Sequence, residues 1–182
     1  MPRLLLVVIV LLPAWLGAAA QGLSPKAGAV SEGLYTNLYF GMNYKLPADW
    51  TVSFVAMDGQ CERECMLLDA RAPGEKSRRA ITITAERSGA VRGPEQVALA
   101  GVSLEQMGAK KIAPAKEITV AGRKSYRADY SSRVLSGEVY YTIVVLPAKQ
   151  YTVVFSFSSE SRKHLDTMVD EMGKAISFVA GS

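Results

Sequence analysis

The stretch Glu138 to Leu146 constrains the fold of this 182-residue chain more than any other. In an extended strand, successive side chains point to opposite faces of the sheet. Val139, Tyr141, Ile143 and Val145 then share one face, while Tyr140, Val144 and Leu146 share the other. A strand that is apolar on both sides has to be covered on both sides. It therefore belongs inside a sheet that carries a layer on each face.

The neighbouring segments agree with this. Tyr151, Val153, Phe155 and Phe157 alternate with Thr152, Ser156 and Ser158, and Pro147-Ala148-Lys149-Gln150 joins this strand to the two-sided one as a hairpin. Lys116 to Val120 and Arg123 to Ser131 flank Ala121-Gly122, where glycine supplies the positive φ of a two-residue turn. Earlier strands are expected at Met42 to Leu46, Thr51 to Met57, Met66 to Arg71 and Ala80 to Glu86. In the last of these, Ile81, Ile83 and Ala85 alternate with polar residues.

Two helices complete the pattern. Pro94 suits a first helical position, since its missing N–H has no partner there. From it a helix is expected to Ala109, with Val97, Gly101, Leu104 and Met107 on one face. Gly101 and Gly108 weaken that helix by about 1 kcal/mol each relative to Ala, so they are expected to admit a closely approaching backbone. Leu165, Met168, Val169, Met172 and Ile176 form one apolar stripe of a last helix. Ser159 is its expected cap, with Glu160 and Lys174 placed favourably for the helix dipole. Ile176 to Val179 then closes the chain against the core. The fold class is α+β: an antiparallel sheet with helices packed on both faces, an αβα sandwich.

Residues 1–20 read as an export signal, with Arg3 as the positive head and Leu4 to Leu12 as the apolar run. Ala18-Ala19-Ala20 places cleavage before Gln21. The run falls short of the roughly twenty residues that span a bilayer; a retained anchor is the alternative. Residues 21–33 read as a flexible lead-in and 34–180 as one domain. The chain carries 21 Lys and Arg against 17 Asp and Glu. Loss of Arg3 with the leader leaves a charge of about +3, too mild for a nucleic-acid groove. The densest basic spots are Lys76-Ser77-Arg78-Arg79 and Lys110-Lys111.

Few groups could carry chemistry. Cys61 and Cys65 enclose Glu62-Arg63-Glu64. In an exported protein such close cysteines are expected to pair as a disulfide, contributing about 2 kcal/mol through so short a ring. Free or intermolecular thiols, a redox pair or a metal site are the other readings. A redox pair would want a two-residue spacing, and zinc would need further ligands such as Asp58 or Asp69. His164, the single imidazole, has no nucleophile placeable beside it and reads as a surface residue. Asp166, Asp170 and Glu171 read as a solvated helix face rather than a cation site. Tyrosines 35, 39, 44, 126, 130, 140, 141 and 151 either line a groove or sit half-buried with wet hydroxyls.

Three features resemble the PsbP-like family, which includes extrinsic oxygen-evolving-complex subunits, their bacterial relatives and Mog-type proteins. They are the opening Tyr39-Phe40-Gly41-Met42-Asn43-Tyr44-Lys45-Leu46-Pro47 followed by Trp50, the Ala121-Gly122 hairpin leading to Tyr126, and the paired long strands before a terminal helix ending in Ile176-Ser177-Phe178. The resemblance spans most of Leu34 to Ala180. It implies an antiparallel sheet between helices and a non-enzymatic binding or assembly role, with no catalytic residues and no cofactor. The expected protein is periplasmic or secreted, monomeric, and free of stable membrane insertion once the leader is cleaved. Its expected partner is an extracytoplasmic protein rather than a nucleic acid. Tyr35, Tyr39, Tyr44 and Trp50 are the candidate ligand or partner surface. A small-molecule carrier with an aromatic-lined cleft is the alternative function, and a thiol–disulfide redox protein the third.

Overall fold

A computed structural model describes residues 23–57, 59, 61–74, 77–87 and 93–179. The expected export signal and Asp58 lie outside the described residues. The strands in chain order are β1 (Gly28–Ser31), β2 (Leu34–Asn37), β3 (Met42–Lys45), β4 (Thr51–Val55), β5 (Glu64–Arg71) and β6 (Ala80–Arg87). Helix α1 (Pro94–Gln106) follows, then β7 (Lys110–Lys111), β8 (Lys116–Val120), β9 (Arg123–Val134), β10 (Gly137–Ala148) and β11 (Tyr151–Ser159). Helix α2 (Arg162–Ala175) and β12 (Ile176–Phe178) end the chain.

Two antiparallel sheets form. The large one runs β4-β5-β6-β11-β10-β9-β7, with β8 also paired to β9. The small one runs β1-β2-β3-β12. The two-sided strand β10 lies inside the large sheet, paired to β9 along one edge and β11 along the other. Its side chains divide between two apolar clusters. Ile143 and Val145 join Val97 of α1 with Ala128, Tyr130 and Val154. Val144 and Leu146 join Leu165, Met168, Val169 and Met172 of α2 and the aromatic rings of the small sheet.

The second sheet is a departure from the expected single one. Ile176–Phe178 does close the chain against the core, but it does so as a strand on β3. Gly28–Ser31, read as part of a flexible lead-in, is a strand on β2. Both segments are too short and too mixed in polarity to show a period of two, so only their pairing reveals them. Arg123 further ties the small sheet to β9 by stacking its guanidinium 3.8 Å from the Phe178 ring centre.

Turn chemistry follows the residues. Ala121 and Gly122 both have positive φ, 48° and 75°, the conformation that suits a two-residue hairpin. At the other hairpin Pro147 and Ala148 remain in the strand, opposite Thr152 and Tyr151. The turn is therefore Lys149-Gln150 alone. The cap of α2 is Ser161, whose hydroxyl accepts from the His164 N–H. Ser159 sits two residues too early and instead accepts from the Ser161 N–H at 3.1 Å.

Helix α1 differs from expectation on its buried face. Val97 and Gly101 are buried, but Met107 is exposed beyond the helix end. What approaches Gly101 is a ring rather than a backbone: an added Cβ would fall on the Tyr130 hydroxyl and 2.6 Å from Cζ. The Tyr130 Oη has no hydrogen-bond partner among the described residues.

Helix α2 is held by more than its stripe. On β9, Arg127 donates from Nε to Asp129 Oδ1 at 2.7 Å and from Nη2 to Asp166 Oδ1 at 2.6 Å. Thr142 on β10 donates to the same Asp129 oxygen at 2.6 Å. Arg127 and Asp129 are both buried. A buried charge left alone is costly, so this pair requires both its partners. Asp166, expected on a solvated face, is the half-exposed end of that chain of contacts. Farther across the sheet, Glu64 stands directly opposite Glu86. The Glu86 carboxyl titrates above its ordinary value, first because it is desolvated and second because Glu64 repels its charge.

Two stability outcomes follow from these contacts. Gly101→Ala, which on an open helix would stabilise by about 1 kcal/mol, is expected to destabilise by about 1–3 kcal/mol through overpacking. Tyr130→Phe alone should be neutral or stabilising, since it removes a partnerless buried hydroxyl, and should relieve part of the alanine penalty. Thermal melts of the two single variants and the double variant check this. Glu86→Gln should raise stability at pH 7 by a few tenths of a kcal/mol. A raised carboxyl pKa means the native state favours the protonated form, so ionisation costs stability as pH rises. The advantage of the Gln variant should therefore fade as melts are taken toward pH 4.

Candidate functional site

The Lys149-Gln150 hairpin gathers aromatic rings, a lysine and the Cys61 loop at one end of β10. Tyr39 enters from the loop after β2, its ring set edge-on to Phe40 at 4.9 Å and to Tyr151 at 5.8 Å. Phe40 and Tyr151 meet edge-on as well, at 5.9 Å. Edge-to-face packing of this kind fixes ring orientation. The loop itself is held from within: Asn37 is buried and accepts from the Phe40 N–H at 3.1 Å while donating to the Pro25 carbonyl at 2.8 Å.

The hairpin closes over this triad. Lys149 Nζ lies 4.8 Å from the Tyr39 ring centre, and Gln150 Nε2 donates to Tyr39 Oη at 3.1 Å. Lys149 has a φ of 56°, which the two-residue turn demands. Tyr151 Oη donates to the Cys61 carbonyl at 3.0 Å. Cys61 and Cys65 form a disulfide, so the bridge pins the loop before β5 onto the same cluster. It is a buried structural staple.

Two cavities flank the hairpin and share Tyr151. One, of about 380 Å³, is lined by Tyr39, Cys61, Glu62, Arg87 and Gln150. The other, of about 320 Å³, is lined by Gln96, Lys124, Tyr126, Pro147 and Lys149. Leu38 stands exposed beside Tyr39. The surface thus presents aromatic edges, an aliphatic side chain and cations. Such a mixture suits recognition of a protein surface or of a ligand with an apolar body and a polar end.

The four expected surface residues separate. Tyr39 is half-buried and forms the centre of the site. Trp50 is half-buried elsewhere, its N–H donating to the Pro47 carbonyl at 3.4 Å to close the expected turn. Tyr35 and Tyr44 are interior residues, 0% and 2% exposed, and do not contribute to any surface. Burial pushes the Tyr35 phenol up to about 12, against the lowering effect of its hydrogen bond with Asn37. It raises that of Tyr44 further, with the Glu171 charge adding to the effect. Their rings fill the space between the two sheets; Gly28 is glycine because a Cβ there would lie 2.7 Å from the Tyr35 ring. Without a second sheet in the expectation, an aromatic on an opening strand reads as surface.

Lys149, Gln150, Arg87 and Lys124 were not among the expected site residues. The signal for the first two is present in the hairpin turn, but nothing local says that Tyr39 lies against it 110 residues away in sequence (149 minus 39). Asp69, considered as a ligand beside the cysteines, is occupied by Ser53, Thr82 at 2.8 Å and Arg71 at 3.4 Å. Among the described residues no group of three or more His, Cys, Asp or Glu is placed to hold a metal ion. Nor is any described helix long and apolar enough to cross a membrane.

No protein-family model matches the chain, and no curated protein matches its sequence. Solved structures do match its fold. The solution structure of cyanobacterial PsbP (CyanoP) from Synechocystis sp. PCC 6803 aligns with a TM-score of 0.58 at 12% identity, covering 90% of this chain and 99% of that one. The crystal structure of LpqN from Mycobacterium tuberculosis, a protein involved in cell envelope biogenesis, aligns with a TM-score of 0.51 at 11% identity. That match covers 76% of this chain and 83% of the other. At such identities the likeness is one of architecture, and it coincides with the resemblance carried by the Tyr39 to Pro47 motif: the chain has the PsbP-like fold.

Proposed function

We propose that this chain is an exported, non-enzymatic protein that binds or helps assemble a partner protein outside the cytoplasm, working as a one-domain monomer, with β1 part of that domain, after cleavage before Gln21. The observation that carries this reading is the likeness, over most of both chains, to CyanoP and to the envelope protein LpqN. The disulfide supports it independently, because such bridges persist outside the cytoplasm. The two clusters on alternate residues of β10, one with α1 and one with α2, support a helix on each face of the large sheet.

The partner surface in this reading is the Lys149-Gln150 hairpin with Tyr39 and Leu38. Aromatic rings held rigid by their neighbours lose little entropy when they are covered, which favours them as anchors. The two flanking cavities favour a second reading, a carrier for a small molecule, whose polar end would meet Lys124 or Lys149.

A photo-crosslinking residue placed at Leu38 or Lys149 in cells is expected to yield a discrete adduct with one protein of the envelope fraction, and one at Glu171 none. Absence of an adduct from the hairpin end, together with a small molecule co-purifying in native mass spectra, would replace the partner reading by the carrier. The disulfide is expected to stabilise without reacting. Cys61→Ser should cost about 2 kcal/mol, a fall in Tm of about 4–8 °C. The intact protein should show no thiol–disulfide exchange in an insulin-reduction assay, and measurable turnover there would contradict the non-enzymatic reading.

A further inference from the structure

We propose that the β9–β10 hairpin is a reversible docking element for an anionic lipid surface, with Leu135 entering the interface and surrounding cations meeting the headgroups. This concerns the end of the molecule away from Lys149-Gln150 and stands apart from the partner reading.

The hairpin protrudes. Pairing of β9 with β10 continues out to Val134 and Gly137, whereas β11 is paired with β10 only as far as Tyr140. Three residues of hairpin therefore extend beyond the neighbouring strand, a reach of about 10 Å. At the tip Leu135 is fully exposed and Val134 is 39% exposed. Beside them lies an open cavity of about 530 Å³ lined by Arg78, Ser136, Val139, Tyr141 and Ser158.

The charges around the tip are mostly positive. Arg78 lines the cavity with Leu135. Arg133 is the residue before Val134, and the exposed pair Lys110 and Lys111 runs along β9 opposite Ser131 and Tyr130. Arg162 opens α2 close enough to influence the Tyr140 hydroxyl. Against these stand Glu138, which faces Arg133 and accepts from Tyr140 Oη at 2.8 Å, and Glu160.

Shape decides between occupants. A protein partner needs on the order of 800 Å² per side with matched contours. The exposed apolar part of the tip is Leu135 with Val134, a projecting point beside an open cavity rather than a face of that extent. It does match a plane with a shallow apolar layer under a negative surface, where interfacial elements bury about 5–10 Å deep. The Tyr141 ring beside it, with an apolar body and a polar tip, suits the same boundary.

Co-sedimentation with vesicles tests this on the mature chain. Binding is expected to phosphatidylcholine vesicles containing phosphatidylglycerol, to weaken with added salt, and to be absent with phosphatidylcholine alone. Leu135→Ser, which changes only an exposed tip, should weaken binding at least tenfold. Arg78→Gln and Arg133→Gln should each weaken it about fivefold, while Lys174→Gln on α2 should leave it unchanged. Circular dichroism melts confirm that each variant is folded. No binding to the anionic vesicles, equal binding to neutral ones, or a wild-type affinity in Leu135→Ser would overturn the proposal, as would capture of an acidic protein by this hairpin in place of vesicles.

Discussion

The structure depends on where β10 can bury its two apolar faces. Ile143 and Val145 need one cover, Val144 and Leu146 another, and no edge position supplies both. Once β10 is interior, β9 and β11 have to pair with it, and each helix finds its place against a different cluster. The hydrophobic gain is shared across all these elements. A polar substitution in β10 would therefore be felt in the cluster its side chain enters, with α1 at Ile143 or Val145 and with α2 at Val144 or Leu146.

The small sheet answers a different problem. Beyond β10 and β11, which α2 covers, β5 and β6 also carry apolar residues into the same cluster. Tyr35, Phe40, Met42 and Tyr44 cover that area. This is why the family-like aromatic motif is largely core: Phe40 and Tyr44 are buried, while Tyr39 and Trp50 are left half-buried. The same division explains the contrast between the two ends of β10. One end is closed by Tyr39, Tyr151 and the Cys61–Cys65 bridge. The other projects as a bare hairpin ending in Leu135.

Electrostatics refine the fold without directing it. The Arg127, Asp129, Asp166 and Thr142 contacts lock α2 in register over β9 and β10. A buried pair of this type adds little net stability over an apolar substitute, but breaking one partner is costly. Its Arg127–Asp166 arm joins α2 to β9 at one fixed point. Glu64 opposite Glu86 shows the reverse: a pairing set by strand register that brings like charges together.

Much of this was legible in the residues. Alternation located β6, β10 and β11, the heptad-like stripe located α2, and Ala121-Gly122 marked its hairpin, because each is a local consequence of backbone geometry, whereas the two-residue β7 gave no such signal. The disulfide was expected from the closeness of Cys61 and Cys65 together with the expected export. Sequence did not reveal the second sheet, the interior placement of Tyr35 and Tyr44, the ring against Gly101, or the meeting of Tyr39 with Lys149. Each of these depends on a contact between segments far apart in the chain, and a short strand or a single aromatic carries no periodic signal of its partner. Local chemistry by itself determined which segments extend, coil and turn; only the packed tertiary structure decided which aromatics became core and which became surface, since burial is a property of the neighbours.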